Sequence, residues 1–237
     1  MKPVIVTSTL YAGLDETRAR LALQTISEAR KHDYDIVIVD ESSPQIREAF
    51  TEAGATKVSP AETPGMGPAR RQAIKEATLL TDESGIIIWI EPEKHTFVPL
   101  LQEVIEELLS ESADLAVPRR KSLVSYPESQ RHFEWLNNRA FQMFTGRDLD
   151  HCVGVRVFRK SFARFFLEYQ GNYGDKWEMH LVAIIRGLKA GKKVIEVPVD
   201  YVHPATQTAD EEGKWPVFKK RMDQLLNTIA VVEGEYS

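Results

Sequence analysis

Residues 86–94 run Ile86-Ile87-Ile88-Trp89-Ile90-Glu91-Pro92-Glu93-Lys94, five apolar side chains in a row that break abruptly into an acidic turn. A strand that is apolar at every position is covered on both faces, which is the situation of an inner strand in a parallel sheet. Upstream, Val4-Ile5-Val6 predicts a first strand running into Thr7-Ser8-Thr9. Leu21, Ala22, Thr25, Ile26 and Ala29 then recur at helical spacing within 15–30. Residues 35–40 (DIVIVD) predict a second strand, closed by the turn-prone ESSP and followed by a helix over 45–53. A weaker strand at 55–58 leads through PAETPGMGP into a helix over 69–80, with Ala73, Ile74 and Ala77 on one face. Downstream, Leu100, Leu101, Val104, Ile105, Leu108 and Leu109 form the stripe of a helix over 97–110, and 113–117 predicts a further strand. Such alternation implies an α/β fold: a mostly parallel sheet flanked by helices, with right-handed crossovers and ligands at the carboxyl ends of the strands.

From Arg119 the pattern changes. The stretch PRRKSLVSYPESQRH is polar, a helix is predicted over 134–144, and the apolar segment 152–158 follows. A helix over 175–190, a strand over 193–199, the loop HPATQTADEEG and a helix over 217–232 complete the reading. With no repeat and no linker, the 237 residues read as a single domain, a nucleotide-binding half over 1–118 and a C-terminal acceptor-side extension over 119–237. The 30 basic and 35 acidic residues give a net charge of −5, which argues against a nucleic-acid-coating surface. The single cysteine, Cys152, excludes an internal disulfide and a four-cysteine zinc site and suits a reducing compartment. It has no Cys/His/Asn arrangement around it in sequence and reads as core. The N-terminal apolar run is too short for a signal peptide, and no run approaches the roughly 20 residues of a membrane span. A cytoplasmic location is expected.

Four strand-end loops, Thr7-Ser8-Thr9, Asp40-Glu41-Ser42-Ser43, PGMGPAR and Glu91-Pro92-Glu93-Lys94-His95, are expected to converge on one edge of the sheet. Their order (IVIVDESSP, TPGMGPARRQAI, IIIWIEPEK) resembles a family 2-like glycosyltransferase of the GT-A fold, the nucleotide-diphospho-sugar transferases. In that family an apolar strand ends in a VDDGS-like turn, an NxGxGxARN-like segment follows, and a later strand ends in an acidic DxD. The likeness continues in VGVRVFRKS and in residues 173–204, YGDKWEMHLVAIIRGLKAGKKVIEVPVDYVHP, and so spans roughly residues 4–204. Within the family the sequence most resembles the mannosylglycerate and glucosyl-3-phosphoglycerate synthases.

The resemblance implies roles for individual residues. Asp40 and Glu41 would contact the nucleobase and ribose, Gly65 and Gly67 would let the backbone approach the nucleotide, and Arg70 or Arg71 would meet a phosphate with its fork of donors. Thr7 would lie at the same edge. Glu91 would lie near the ribose or sugar, and Glu93 would bind Mg²⁺ or Mn²⁺, the ion that neutralises a leaving diphosphate. His203, in YVHP, would complete the metal site. Glu178 would be the base that deprotonates an acceptor hydroxyl, with Asp175 as the second candidate or as a helix N-cap. Structural readings stand beside these: an acidic helix-capping turn for Glu91 and Glu93, a cap for Asp40 or Ser43, a surface imidazole for His203, a helix start for His95 and a core position for Trp177. Arg119-Arg120-Lys121 reads either as a site for an anionic acceptor or diphosphate or as a solvated basic face. The EPE sequence departs from the family's paired aspartates, and Glu reaches one methylene further.

The expected activity is hexose transfer from a nucleotide-diphosphate sugar to a small soluble hydroxyl acceptor, neutral or anionic. A sugar-nucleotide nucleotidyltransferase shares the fold, but that class carries a GxGxR-type loop after the first strand, where this sequence has TSTLYAG. A non-catalytic nucleotide-binding relative is the third reading, motivated by EPE. No Walker loop is present.

Overall fold

A computed structural model describes residues 2–236. The chain runs β1 (Val4–Thr9), α1 (Thr17–Lys31), β2 (Asp35–Asp40), α2 (Pro44–Glu52), β3 (Lys57–Pro60), α3 (Met66–Leu80), β4 (Ile86–Trp89), α4 (Leu101–Ser110) and β5 (Leu115–Arg120). The second half adds α5 (Glu128–Thr145), β6 (Arg156–Arg159), α6 (Arg164–Leu167), α7 (Met179–Lys189), β7 (Val194–Val199), α8 (Ala205–Glu211) and α9 (Trp215–Tyr236). The seven strands form one sheet in the order β3-β2-β1-β4-β6-β5-β7, with β6 antiparallel to both neighbours and the other pairs parallel. The apolar run that opens the acidic turn is the fourth strand of seven, and all four of its residues are buried. One hydrophobic core extends from Val4 to Val232.

The sheet has a switch point between β1 and β4. From β1 the chain proceeds outward through β2 and β3, then returns over α3 to place β4 on the other side of β1. Such a reversal opens a crevice at the carboxyl ends of the two strands. Here Thr25 of α1 closes its floor, its Oγ1 donating to the Pro92 carbonyl at 2.6 Å.

Several boundaries differ from the sequence reading. Thr7, Ser8 and Thr9 belong to β1 and pair with Ile38, Val39 and Asp40, so the loop begins at Leu10. The helix expected over 97–110 opens as a 3₁₀ segment, His95–Leu100, around Pro99, whose missing N–H suits a tight turn better than an α-helix interior. The helix expected from Asp175 begins at Met179, because Asp175 has φ +54° and cannot start it. Residues 205–211, expected as loop, form α8.

Candidate active site

A cleft of about 880 Å³, its open mouth included, lies over the end of β4 between the two halves of the chain. The β4 end supplies Trp89, Glu91, Glu93 and Lys94, α1 supplies Arg18 and α3 supplies Arg70. The opposite wall comes from α5 (Gln130, Glu134, Asn137), from His151, Cys152 and Gly154, and from Arg156, Trp177 and His180. His203, Gln207, Glu211, Lys220, Arg221 and Gln224 close it from the C-terminal segments.

Glu91 lies at the centre of the cleft's charges. Its carboxylate fits against Gly154, where a Cβ would come within 2.6 Å of Glu91 Oε2, so the missing side chain makes its space. Lys94 Nζ pairs with the same oxygen at 3.2 Å. Burial alone would raise the Glu91 pKa, but Lys94, Lys220, Arg70 and Arg221 outweigh it and hold the group down at about 2. Burial also works against the Lys94 ammonium, which faces Tyr126 and Tyr201 at 5.9 and 5.1 Å from the ring centres. Those rings and Glu91 keep it above its ordinary value.

Glu93 is buried, and its Oε1 accepts both Nε (2.9 Å) and Nη2 of Arg18. Its Oε2 has no partner. His203 is also buried, with Nδ1 2.8 Å from Thr208 Oγ1. Since the Thr208 hydroxyl donates to the Ser125 carbonyl at 2.8 Å, it must accept from Nδ1–H, which leaves the lone pair on His203 Nε2. Burial first, then the nearby Lys94 ammonium, lowers the His203 pKa to about 3, so the ring is neutral. A free carboxylate oxygen and a neutral imidazole in one cleft suit a divalent cation, provided a ligand brings the remaining oxygens. Among the described residues no group of three or more His, Cys, Asp or Glu side chains is placed to hold a metal by itself.

The walls carry six cationic side chains (Arg18, Arg70, Lys94, Arg156, Lys220, Arg221) against four carboxylates (Glu91, Glu93, Glu134, Glu211). Arg18 is held by Glu93, Lys94 by Glu91, and Arg221 lies 3.6 Å from Glu211. Glu134 is taken by Arg120 from outside the wall, at 2.7 Å. Arg70, Arg156 and Lys220 therefore have no carboxylate partner among the described residues. Arg70 is buried with its guanidinium 5.0 Å from the centre of the Trp89 ring and its Nε unbonded. Burial draws Arg70 and Arg156 down to about 10, which leaves both charged at neutral pH. The cleft is thus electropositive on a protein of net charge −5.

Of the residues to which the resemblance gives a binding, metal or catalytic role, Arg70, Glu91, Glu93 and His203 meet in this cleft. The others are placed elsewhere. Thr7 is buried inside β1 with its hydroxyl unpartnered. Asp40 is fully buried and accepts from Thr9 Oγ1 (2.6 Å), Ser42 Oγ (2.7 Å) and Ser42 N (3.0 Å), so it stitches the ends of β1 and β2. Glu41 takes the Gly65 N–H at 2.7 Å, with Gly65 at φ +120°. Gly67 donates its N–H to the Asp175 carbonyl at 3.0 Å, and a Cβ there would come within 2.0 Å of Asp175 Oδ1. The space expected for a nucleotide at Gly67 is filled by this loop. Asp175 itself forms a two-pronged pair with Arg71 and neither lines the cleft nor caps α7.

Glu178, the carboxylate expected to face an acceptor, is the residue that precedes α7. It is wholly buried and off the cleft wall, with Oε1 accepting the Lys176 N–H (2.8 Å) and the Tyr169 hydroxyl (3.2 Å). Its neighbours Trp177 and His180 face the cleft instead, and both His180 ring nitrogens lack partners. The basic run Arg119-Arg120-Lys121 is neutralised: Arg119 by Glu196 and Asp148, Arg120 by Asp150 and Glu134, Lys121 by Asp200. Cys152 reaches the cleft, but burial pushes its thiol well above the ordinary range and keeps it unreactive.

No protein-family model matches the chain, and no curated protein matches it in sequence. Solved structures match along nearly the whole length. One is glucosyl-3-phosphoglycerate synthase from Mycobacterium tuberculosis in complex with Mn²⁺, uridine diphosphate and phosphoglyceric acid, with a TM-score of 0.55 and 13% identity over 96% of this chain and 78% of that one. Another is mannosyl-3-phosphoglycerate synthase from Rubrobacter xylanophilus, with a TM-score of 0.59 and 13% identity over 100% of this chain and 75% of that one. The chain has the GT-A fold. Its GT-A sheet carries the acidic turn at the end of β4, and the segments after β5 build the far wall of the cleft. Among the described residues no helix of this GT-A chain is long and apolar enough to cross a membrane.

Proposed function

We propose that the protein is a glycosyltransferase that moves a hexose from a nucleotide-diphosphate sugar to a small, anionic hydroxyl acceptor. The observation that carries this reading is the set of unpaired cations, Arg70, Arg156 and Lys220, in a cleft at the switch point of a GT-A sheet. A diphosphate is the donor's charged part, and buried guanidinium groups with open N–H donors bind it with charge-assisted hydrogen bonds. The fold neighbour with bound Mn²⁺ and uridine diphosphate supports the same reading.

Glu93 Oε2 and His203 Nε2 would hold Mg²⁺ or Mn²⁺ together with diphosphate oxygens. When bound, the ion neutralises charge on the departing diphosphate. Arg70, stacked on Trp89, would fix the diphosphate over the strand end, and His180 offers a neutral ring to sugar or acceptor hydroxyls. Transfer forms a bond from the acceptor oxygen to the anomeric carbon and breaks the bond from that carbon to the diphosphate, while the hydroxyl proton needs a base. Every carboxylate on the cleft wall is already paired with a cation. A phosphate oxygen of the leaving diphosphate is therefore the proton acceptor favoured here, a substrate-assisted route.

The test is calorimetry with uridine, guanosine and adenosine diphosphates, with and without Mn²⁺, followed by assays of sugar release with glycerate and phosphoglycerate as acceptors. Stabilisation by one nucleotide and acceptor-dependent sugar release are expected. Absence of binding by every nucleotide would end the transferase reading. Binding without turnover would make the chain a non-catalytic relative.

A further inference from the structure

We infer that Gln130 and Gln207 read hydroxyl groups in the cleft, so that the part of the substrate held against α5 and α8 is a polyol, supplied by the transferred sugar or by the acceptor. The inference rests on the glycosyltransfer reading above and adds the residues that recognise the uncharged part of the ligand.

Four glutamines among the described residues donate Nε2 to a glutamate four positions on: Gln72 to Glu76 (2.9 Å), Gln102 to Glu106 (2.7 Å), Gln130 to Glu134 (2.7 Å) and Gln207 to Glu211 (3.1 Å). Residues four apart share a helix face, which is why the pairs form. An ionised carboxylate can only accept, so in each pair the amide nitrogen faces the glutamate and the carbonyl oxygen is left for another donor. Gln72 gives its oxygen to the Glu62 N–H at 2.8 Å, and Gln102 is exposed on α4, where water serves it. Gln130 and Gln207 are buried, and the carbonyl oxygen of each is buried without a partner. These two are also the pair members that line the cleft.

Their orientation is locked. Arg120 holds Glu134 at 2.7 Å and Arg221 lies 3.6 Å from Glu211, so both carboxylates stay charged acceptors and neither amide can turn over. The start of α8 is tied to the segment before α5, where Thr208 Oγ1 donates to the Ser125 carbonyl at 2.8 Å and Ser125 Oγ accepts the His203 N–H at 3.0 Å. The other amides of the wall have their oxygens occupied: Asn137 accepts from the Thr228 hydroxyl, and Gln224 accepts from Arg221.

A buried carbonyl without a donor costs free energy, and two of them in one cleft call for donors that arrive with the ligand. A diphosphate or a carboxylate brings only acceptor oxygens. Hydroxyl groups bring the donors. The cleft thus carries two chemistries, the open cations Arg70, Arg156 and Lys220 for the anion and the amide carbonyls of α5 and α8 for the hydroxyls. An analogue lacking the hydroxyl would leave the carbonyl stranded again, which is the basis of steep discrimination.

Calorimetry on the full chain with Mn²⁺ tests this. The probes are uridine, guanosine and adenosine diphosphates, their hexose conjugates, and, on the nucleotide-loaded protein, glycerate against lactate, which lacks only the second hydroxyl. Methionine matches glutamine in length and has no carbonyl. Gln130→Met and Gln207→Met should bind the nucleoside diphosphate as wild type does and lose about 3- to 10-fold on one hydroxyl-bearing probe, the worth of one neutral hydrogen bond. A loss on the hexose conjugate assigns the carbonyls to the transferred sugar, and a loss on glycerate, down to the lactate level, assigns them to the acceptor. Gln102→Met, the same pair on an exposed helix, should change neither. Folded variants that bind every probe as wild type does overturn the inference and leave the transferase reading standing. So does a lowered thermal midpoint with these affinity ratios unmoved, which would confine the glutamines to holding Glu134 and Glu211. Should the variants fail to fold, the wild type decides: equal affinity for the hexose conjugates and their deoxyhexose analogues, and for glycerate and lactate, overturns the inference. A wild type that binds none of the nucleotides ends the transferase reading and this inference with it.

Discussion

Arg18, on the first turn of α1, grips a single oxygen of Glu93, 75 residues later in the chain, and leaves the other oxygen of that carboxylate buried and without a partner. The pair bolts α1 across the switch-point crevice. It also divides the carboxylate, with one oxygen serving the fold and the other left for a ligand. An acidic side chain that served only as a helix cap or a solvated turn would be exposed, and this one is not.

Glu93→Gln should therefore separate fold from metal. The amide oxygen still accepts from Arg18, so the thermal midpoint should fall by only a few degrees, corresponding to about 1–2 kcal/mol for a weakened hydrogen bond to a charged group. The nitrogen that replaces Oε2 cannot ligate a divalent cation. Calorimetry should show nucleotide binding retained without metal and its strengthening by Mn²⁺ abolished. An undiminished Mn²⁺ effect would remove Glu93 from the metal site.

Lys220 gives the second prediction. It lies on the cleft wall, exposed to solvent and with no ion pair or hydrogen bond among the described residues, and partial desolvation followed by the Arg221 and Arg18 charges lowers its pKa. A cation disfavoured by its surroundings gains most from an incoming anion. Nucleoside diphosphate should thus bind with the metal chelated, and Lys220→Gln should weaken that binding about 10-fold, the worth of a charge-assisted hydrogen bond near 1.5 kcal/mol. Lys219→Gln, on the neighbouring position outside the cleft wall, should leave it unchanged. Equal binding by both variants would take the diphosphate away from Lys220.

The sequence made the α/β alternation legible because each buried strand is a short apolar run and each helix a periodic one. Residues 86–90 announced the middle strand through the absence of any polar position. Helix α8 escaped because ATQTADE has no apolar stripe, and Gln207 is its one buried residue. Spacing and motif order found Arg70, Glu91, Glu93 and His203. Arg18 was missed because its partner, Glu93, is 75 residues away, and Lys94 and Lys220 because a single basic residue carries no local signal of the cleft it lines. The same remoteness misled in the other direction at Arg119-Arg120-Lys121, whose neutralising carboxylates, Glu134, Asp148, Asp150, Glu196 and Asp200, lie about 14 to 80 residues downstream.

Glu178 provides the third prediction. Its Oε1 holds the Lys176 N–H and the Tyr169 hydroxyl, and that hydroxyl in turn accepts the Tyr173 N–H at 2.9 Å, so the carboxylate anchors the loop leading into α7. Glu178→Gln keeps an acceptor at that point, and transfer should stay within about 10-fold of wild type, whereas loss of a general base would cost 10²–10⁴-fold. Glu178→Ala strands both donors and should lower stability by about 1–3 kcal/mol in urea unfolding. A loss beyond 100-fold in the Gln variant, at unchanged stability and nucleotide affinity, would restore Glu178 as the base.

The last prediction concerns pH. His180 is buried against Trp89 and Phe166, with ring centres 4.6 and 5.6 Å away and neither nitrogen hydrogen-bonded. Burial, then Arg70 and Arg156, push its pKa well below 6.5. Burial likewise takes His151 down to about 4 and His203 to about 3. In the unfolded chain all three bind protons near pH 6.5, while in the folded chain they remain neutral until well below it. Between those limits the unfolded state holds more protons, so stability falls as pH falls, with a slope approaching about 1.4 kcal/mol per pH unit for each histidine. Asp150, held low by Arg120 and Asn138 against the effect of burial, adds a loss of the same sign only below about pH 4, where unfolded aspartate takes up its proton. Urea unfolding at pH 7.5, 6 and 5 should show the decline, and His180→Leu should flatten it by about a third, one of three equal slopes. A variant whose stability falls as steeply as the wild type's would mean that His180 is already protonated in the folded protein, and the neutral ring assigned to the cleft wall would be wrong.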